Sequence, residues 1–460
     1  MIMKFIEYLK GVFARMFSKD QVQTITGEQV TLSSTMIEHL EEWEDMLEGK
    51  ARWVDQNDDD GVKSLRLEGN ICQELANVTL SEMDTKLNNS TLDTFYQAAL
   101  KNLNSNMQDM LGLGSGVIKP IGNTGKFEYI PVTRIVPLEF SADERLTRCA
   151  FVQVKPIGDY DVYYRLELHE LLPNGLHIAN KAFKGTAGNF GKEIPLASVD
   201  EWAKLLPEVT YAGMTRMDFG YYKNPIPNKI DGSMNGVSVF EKAVDKIRKA
   251  DIQFGRLDWE YSSGERLIFG DYTNMQKIKD SHGQFHWKAP KGKERMFVNT
   301  DMEDQWDEHS PDLRDANYIA GLNEYKRQIE FDCCLAYGDL SKNEVVEKTA
   351  AEIASSKNRK YNFVNQIQTN LKDCLEDLAY AIAFYQAQFT TDIGFVCDFH
   401  DSIKQDEDTE RAQDRIDVQM GVMSKVKYCM KWYSVDEKTA KEYIAEANDE
   451  LAGTNEGVVS

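Results

Sequence analysis

An α+β fold, mainly helical, is what this chain predicts, and three observations predict it. Two long amphipathic helices bracket a β-rich insert between Val237 and Ala336. Short strand-like runs divided by Gly, Pro, Asn and Asp turns fill Leu111 to Tyr222, and one very long helical stretch follows from Thr349 to Gln388. With 460 residues, 42% hydrophobic and 28% charged, the chain has ample material for a core and for more than one structural unit. A small domain has no use for two such helices held apart by a polar insert, so the pattern reads as rods projecting something away from a body.

In chain order, Met3 to Phe17 is amphipathic and basic, without an apolar signal core or a small-residue cleavage site. It reads as a docking arm or a packed surface helix rather than a targeting signal. Glu28 to Asn106 reads as helical, with Leu67, Ile71, Leu75, Val78 and Met83 as the apolar face of a helix from Lys63 to Lys86. Strands are expected at Gly116–Pro120, Phe127–Val132, Cys149–Val154 and Val162–His169.

The first rod places Phe240, Ala243, Ile247, Ala250, Phe254, Leu257 and Tyr261 on one face, and the residues between them are strongly charged. From Ser238 to Tyr261 it counts 24 residues, about 36 Å of helix. Asn224-Pro225-Ile226-Pro227-Asn228 cannot be helical, so Ser238 after Gly236 is the expected N-cap, and Ser262-Ser263-Gly264 is the stop. The return rod, Leu313 to Ala336, repeats the spacing with Tyr318, Leu322, Tyr325, Ile329 and Cys333; Pro311 precedes it and Asp312 is its expected cap. A polar loop from Tyr337 to Glu347 leads to a Thr349/Glu352 capping box. The long helix keeps Ile353, Val364, Ile367, Leu371, Leu375, Leu378 and Ile382 on one face, with Lys357, Arg359 and Lys360 near its beginning. A strand, Ile393 to Phe399, and a helical tail, Asp406 to Glu450, close the reading.

Charge narrows the function classes. The net charge is −22, with 75 acidic against 53 basic residues, and a protein that grips nucleic acid through its phosphates needs the opposite balance. The excess is clustered: Glu38 to Asp60 holds ten acids against two bases, and Asp301 to Asp312 holds six with none. The first cluster reads as a solvated face. The second lies at the end of the insert. No window approaches eighteen uncharged apolar residues, so no membrane span is expected. The seven cysteines are odd in number and scattered without ligand spacing, as reduced, buried thiols are.

The motifs that carry chemistry are mostly missing. Gly112-Leu113-Gly114-Ser115-Gly116 fits neither a dinucleotide fingerprint nor a P-loop, and reads as a hairpin turn entering a strand. His282 and His286 flank Gly283 without the Glu a metalloprotease needs, and read as surface histidines. Asp398, His400, Asp401, Asp406 and Asp408 match no EF-hand loop and read as a charged strand end leading into a helix cap. No nucleophile set has a local signature, and no catalytic residue, metal ligand or cofactor is expected.

Three segments taken in order resemble a known family. They are Asn224-Pro225 with Gly236-Val237-Ser238, then Lys348-Thr349-Ala350-Ala351-Glu352-Ile353 with Ser355 and Ser356, then Asp398-Phe399-His400-Asp401-Ser402-Ile403. Weaker likeness runs through Leu67 to Leu80, Ile130-Pro131-Val132 and Pro137 to Phe140. Over roughly residues 60–403 the chain resembles the portal proteins of tailed bacteriophages.

The resemblance implies a ring-shaped homo-oligomer, commonly of twelve subunits, at one capsid vertex of the virion. Double-stranded DNA passes through its channel, driven by the terminase large subunit. Scaffolding and major capsid protein surround it, and a head-tail adaptor docks later. Mapped here, 1–20 is an N-terminal arm, 21–235 and 349–400 the wing, 236–262 and 313–337 the stem helices, 263–312 the clip, 338–348 the tunnel loop and 401–460 the crown. Phe240, Ile247, Phe254 and Leu257 would pack the stem. Asp301, Glu303, Asp304, Asp307 and Glu308 of the clip would dock terminase and adaptor. Lys342, Asn343, Glu344, Lys348 and Lys357 would lie near the DNA. Two other readings are a DNA-processing enzyme of the packaging machinery, either nuclease or motor subunit, and an unrelated helical adaptor using the rods as a coiled-coil-like module.

Overall fold

Helix α1 (Ser34–Leu47) begins where the Ser33 hydroxyl accepts the Met36 N–H at 3.1 Å, and it buries Met36, Leu40, Trp43 and Met46. The structure is a computed structural model, and it describes residues 30–55, 61–157, 161–186, 189–264, 267–270, 276–279, 284–288, 297–299, 306–309, 312–342, 350–386, 393–399, 407–433 and 435–455. The expected arm at 1–20 lies outside them. The chain divides into two compact units, Met1–Phe399 and His400–Ser460.

In the first unit, α2 (Leu67–Leu80), α3 (Ser90–Leu100) and α4 (Leu103–Leu113) pack with α1 into the main core. The apolar row of α2 is buried at Leu67, Ile71 and Leu75, but Met83 is not on it. It opens a strand, β1 (Met83–Leu87), that pairs antiparallel with β16 (Phe395–Phe399). Thr85 and Leu87 are buried there at the two-residue period of a strand. Strands β2 (Ser115–Pro120), β3 (Phe127–Pro131) and β10 (Gly220–Lys223) form a small sheet in the order β10-β2-β3. Strands β4 (Ile135–Phe140), β5 (Leu146–Ile157), β6 (Asp161–Leu172), β7 (Gly175–Thr186) and β8 (Asn189–Ile194) follow one another in an antiparallel meander, with β9 (Glu208–Ala212) also on β7. The mixed α+β class holds, with helix the larger share.

Gly112–Gly116 is not a hairpin turn. Gly112 and Leu113 end α4, Gly114 leaves the helix at φ 92°, and Ser115 starts β2. The backbone of Gly236 lies against this corner so closely that a Cβ on Gly114 would meet it at 2.6 Å. Buried Asn224 completes the junction, donating to the Leu111 carbonyl at 2.8 Å and the Val237 carbonyl at 2.9 Å.

The first rod is shorter than expected. Ser238 is buried and its hydroxyl accepts the Phe240 N–H at 3.3 Å, while the Val239 N–H is drawn to the Leu111 carbonyl. A 3-10 turn (Glu241–Ala243) intervenes, and α5 runs Val244–Ser263, 20 residues or about 30 Å. Phe240, Ala243, Ile247, Ala250 and Leu257 are buried, Phe254 is half-buried, and Tyr261, the expected end of the row, is exposed. Strand segments follow in the insert: β11 (Leu267–Gly270), β12 (Gln276–Lys279), β13 (Phe285–Lys288), β14 (Phe297–Asn299) and β15 (Trp306–His309). β11 pairs with β14 in parallel and with β15 antiparallel, and β12 with β13 forms a hairpin.

The return helix α6 spans Asp315–Asp332, and exposed Asp312 does not cap it. Helix α7 (Ala350–Tyr385) is 36 residues long and buries Val364, Ile367, Leu371, Leu375, Leu378 and Ile382. Thr349 lies outside the described residues. In the second unit the expected single tail is three helices, α8 (Glu407–Gln419), α9 (Lys425–Tyr433) and α10 (Glu437–Asn455). Gly421, at φ 75°, breaks the first, and the Asp436 carboxylate caps the last by accepting the Thr439 N–H at 2.9 Å.

Candidate functional site

Three polar contacts pair α5 with α6 antiparallel. Lys246 bonds Asp332 at one end, Gln253 Nε2 donates to the Tyr318 carbonyl at 3.3 Å in the middle, and Glu260 takes Arg314 at the other end. Glu260 accepts the Arg314 backbone N–H at 2.9 Å and its guanidinium at 3.1 and 2.7 Å, bonds that hold its carboxyl below the usual range. Two indoles fasten α5 and the 3-10 turn before it to the body. Trp43 Nε1 donates to Glu241 at 2.7 Å, and Trp53 Nε1 donates at 2.8 Å to Asp251, which also accepts the Leu65 N–H at 2.8 Å. Asp251 and Glu260, two of the charged residues between the apolar positions of the row, are buried, each with specific donors.

Phe240 and Ile247 belong to the chain's own core, with Phe254 packed against it. They do not form a free stem face. The large apolar groups that the hairpin leaves exposed are others: Trp259 (62% exposed), Tyr261, Leu313 and Ile319, and, at the far end of α6, Phe331, whose ring lies under the Arg359 guanidinium. The first four lie at the end of the hairpin next to the insert, where Leu313 sits against Gly264.

The chain leaving α6 is held by one carboxylate. Glu330 is fully buried, and its Oε1 accepts the N–H groups of Gly338, Leu340 and Ser341 at 3.1, 2.7 and 2.7 Å. Its Oε2 takes the Ser341 hydroxyl at 2.8 Å. Two turns earlier on the same helix, Asn323 Oδ1 accepts the Lys342 N–H at 2.7 Å. Residues 338–342 therefore run back along α6. From the other side Lys360 of α7 bonds Asp339 at 2.9 Å and Glu74 of α2 at 2.6 Å. Burial opposes its charge, but the two carboxylates outweigh it and hold the ammonium above the usual lysine range.

A second polar cluster joins the large sheet to α7. His169 is sealed between two carboxylates, Nδ1 at 2.8 Å from Asp218 and Nε2 at 2.9 Å from Glu167. Tyr385 donates to Asp218 at 2.6 Å, Lys119 to Glu167 at 2.8 Å, and Arg165 pairs with Glu167 at 2.9 Å. Burial works against every charge here. The opposite charges win, so Glu167 and Asp218 are held low and His169 is held high. The cluster borders a cleft of about 450 Å³ also lined by Gln153, Asn180 and Trp202. Those groups are engaged internally, Arg165 with Gln153 and Asn180, and Trp202 with Gln153. The cluster contains no activated nucleophile, and its geometry suits a structural lock.

Of the expected site residues, Lys342 is exposed at the end of the 338–342 segment, and Lys357 is exposed on α7, near the beginning of the long helix as read from the sequence. Lys360, read beside Lys357 as part of a basic group, is instead buried. Asn343, Glu344 and Lys348 lie outside the described residues, as do Asp301, Glu303 and Asp304. Asp307 and Glu308 stand on β15, in register with Phe269 and Ile268. His282, His400, Asp401 and Asp406 are also outside, and His286 is on β13. Among the described residues, no group of three or more His, Cys, Asp or Glu is placed to hold a metal ion, all seven cysteines are free, and no helix is long and apolar enough to cross a membrane.

Sequence reasoning missed Glu330, Asn323 and the His169 cluster. The cluster left one trace, the period-two polar row Arg165, Glu167, His169 in a strand whose alternate residues are apolar. No protein-family model matches this chain, and no curated protein matches it.

Proposed function

We propose that this chain is a portal-type subunit: it assembles into a ring whose channel passes double-stranded DNA, without catalytic residues of its own. The observation that carries the reading is the hairpin of α5 and α6. It brackets a strand-containing insert, pairs its two helices by polar contacts along their length, and leaves Trp259, Tyr261, Leu313 and Ile319 exposed at the insert end. Large apolar and aromatic groups grouped on one element mark an interaction surface more than a solvated one. Copies of the chain around an axis would cover them.

The segments that carry the family resemblance also meet in structural roles. Asn224 and Gly236 lock the head of α5 to the end of α4, and the Ser356 hydroxyl accepts the Tyr337 N–H at 3.4 Å where the loop begins. The acidic balance suits a conduit. A polyanion slides where phosphate contacts are sparse, and a ring would multiply a modest negative lining by its subunit number. In this reading the insert docks terminase and adaptor, and loop 338–348 lies nearest the DNA. The test is sedimentation of Trp259→Asp and Ile319→Asp chains beside the wild type. The reading expects a large assembly for the wild type and folded, smaller species for the variants. Identical sedimentation of all three contradicts it.

A further inference from the structure

We propose that Glu330 is the positioning residue of the loop that follows α6, and that 338–342 is a strap which it holds back against that helix. The proposal rests on the channel reading for its consequence, the placing of loop 338–348 relative to passing DNA, but its geometry stands by itself. A fully buried carboxylate stabilises little of a hydrophobic core and is costly to bury unless its oxygens are occupied. Here both are occupied by the strap alone: three backbone N–H groups and one hydroxyl within four residues, all on Glu330.

Gly338 makes this possible. At φ 104° it turns the chain so that successive N–H groups converge on one point. Asn323 then sets the far end, accepting the Lys342 N–H and donating to the Lys342 carbonyl at 3.4 Å. The strap's two ends are thus fixed to one face of α6, and Lys360 pins its middle through Asp339. Where the chain enters residue 343 is set at α6, a helix of the hairpin, through Glu330 and Asn323, while Lys360 of the long helix holds the strap at Asp339.

The experiment is residue-resolved amide hydrogen exchange on the full chain, with thermal unfolding measured alongside, for wild type, Glu330→Gln and Asn323→Ala. Glutamine keeps the shape of glutamate and one acceptor oxygen but loses the charge that strengthens the bonds. The proposal expects exchange at Leu340, Ser341 and Lys342 to rise roughly tenfold in Glu330→Gln, while Val364 to Ile382 of α7 and the unfolding midpoint stay near wild type. A disulfide between Asn323→Cys and Lys342→Cys in the Glu330→Gln background should restore slow exchange in the strap. Unchanged strap exchange overturns the proposal. So does loosening of strap and α7 together, which would make Glu330 a general core residue. Imaging of the same wild-type sample for rings judges the channel reading separately, since the exchange result does not depend on assembly.

Discussion

Glu68 opens α2 with 2% of its surface exposed. Burial, together with the Asp251 carboxylate, pushes its pKa up to about 7, against the opposing pull of a backbone hydrogen bond and Arg66. The folded chain thus keeps a proton that the unfolded chain releases near the ordinary 4.5. Stability is lost as pH rises from there through about 7, by up to about 3 kcal/mol. Glu68→Gln should match the wild type within about 1 kcal/mol at pH 5 and exceed it by about 1–3 kcal/mol at pH 8 in urea unfolding; an equal difference at both pH values would contradict this. His169 has the opposite partners. With its pKa raised, the imidazolium contributes fully below 6.5 and less as pH climbs through its folded value, whereas Glu167 and Asp218, held low, contribute above 4.5 and 3.8 and fade on acidification. The lock is complete between about 4.5 and 6.5. His169→Ala leaves the buried Asp218 carboxylate without its cationic partner, and a loss of about 3–5 kcal/mol is expected from the unfolding midpoint; a loss under 1 kcal/mol would mean the cluster holds nothing together.

The hairpin separates two kinds of apolar residue that spacing alone merges. Ile247 is fully buried in the chain's own core, so Ile247→Ala should cost about 2–4 kcal/mol and Ile247→Asp should prevent folding. Circular dichroism and urea titration measure this. Ile319, 46% exposed, should tolerate Asp as a folded chain. The rows of α5, α6 and α7 were legible because a period near 3.6 sustained over several turns has no competing explanation. Their ends were not. Ser238 is good cap chemistry, but pairing of Val239 with Leu111, over a hundred residues away, claims that stretch of backbone first. The burial of Asp251 was hidden for the same reason, since its donors Trp53 and Leu65 lie on a distant segment. Strand β1 escaped notice because five residues of period two can be absorbed into a helical row, as Met83 was. Breaks in the tail at Gly421 and Asp436 carried ordinary turn and cap signals. The loop was marked as polar, yet nothing local singles out Glu330, whose partners follow it by eight to eleven residues and meet it only after the chain reverses at Gly338.

A chain carrying −22 charges with four exposed apolar groups, Trp259, Tyr261, Leu313 and Ile319, at the insert end of the hairpin combines two tendencies that pull against each other in a monomer. Charge repels copies, and the apolar groups need cover. The proposed ring would satisfy both, because neighbours would meet through the hairpin while the acidic surface would be distributed around an axis. Assembly should therefore strengthen with salt, which screens the repulsion over a Debye length of about 8 Å at physiological ionic strength and less above it. Light scattering across a salt series checks the direction. The account's central claim is tested most directly by negative-stain electron microscopy of the purified full-length protein. It predicts closed rings of uniform size with a central hole wide enough for duplex DNA; a field of monomers or dimers at every concentration and salt examined would contradict it.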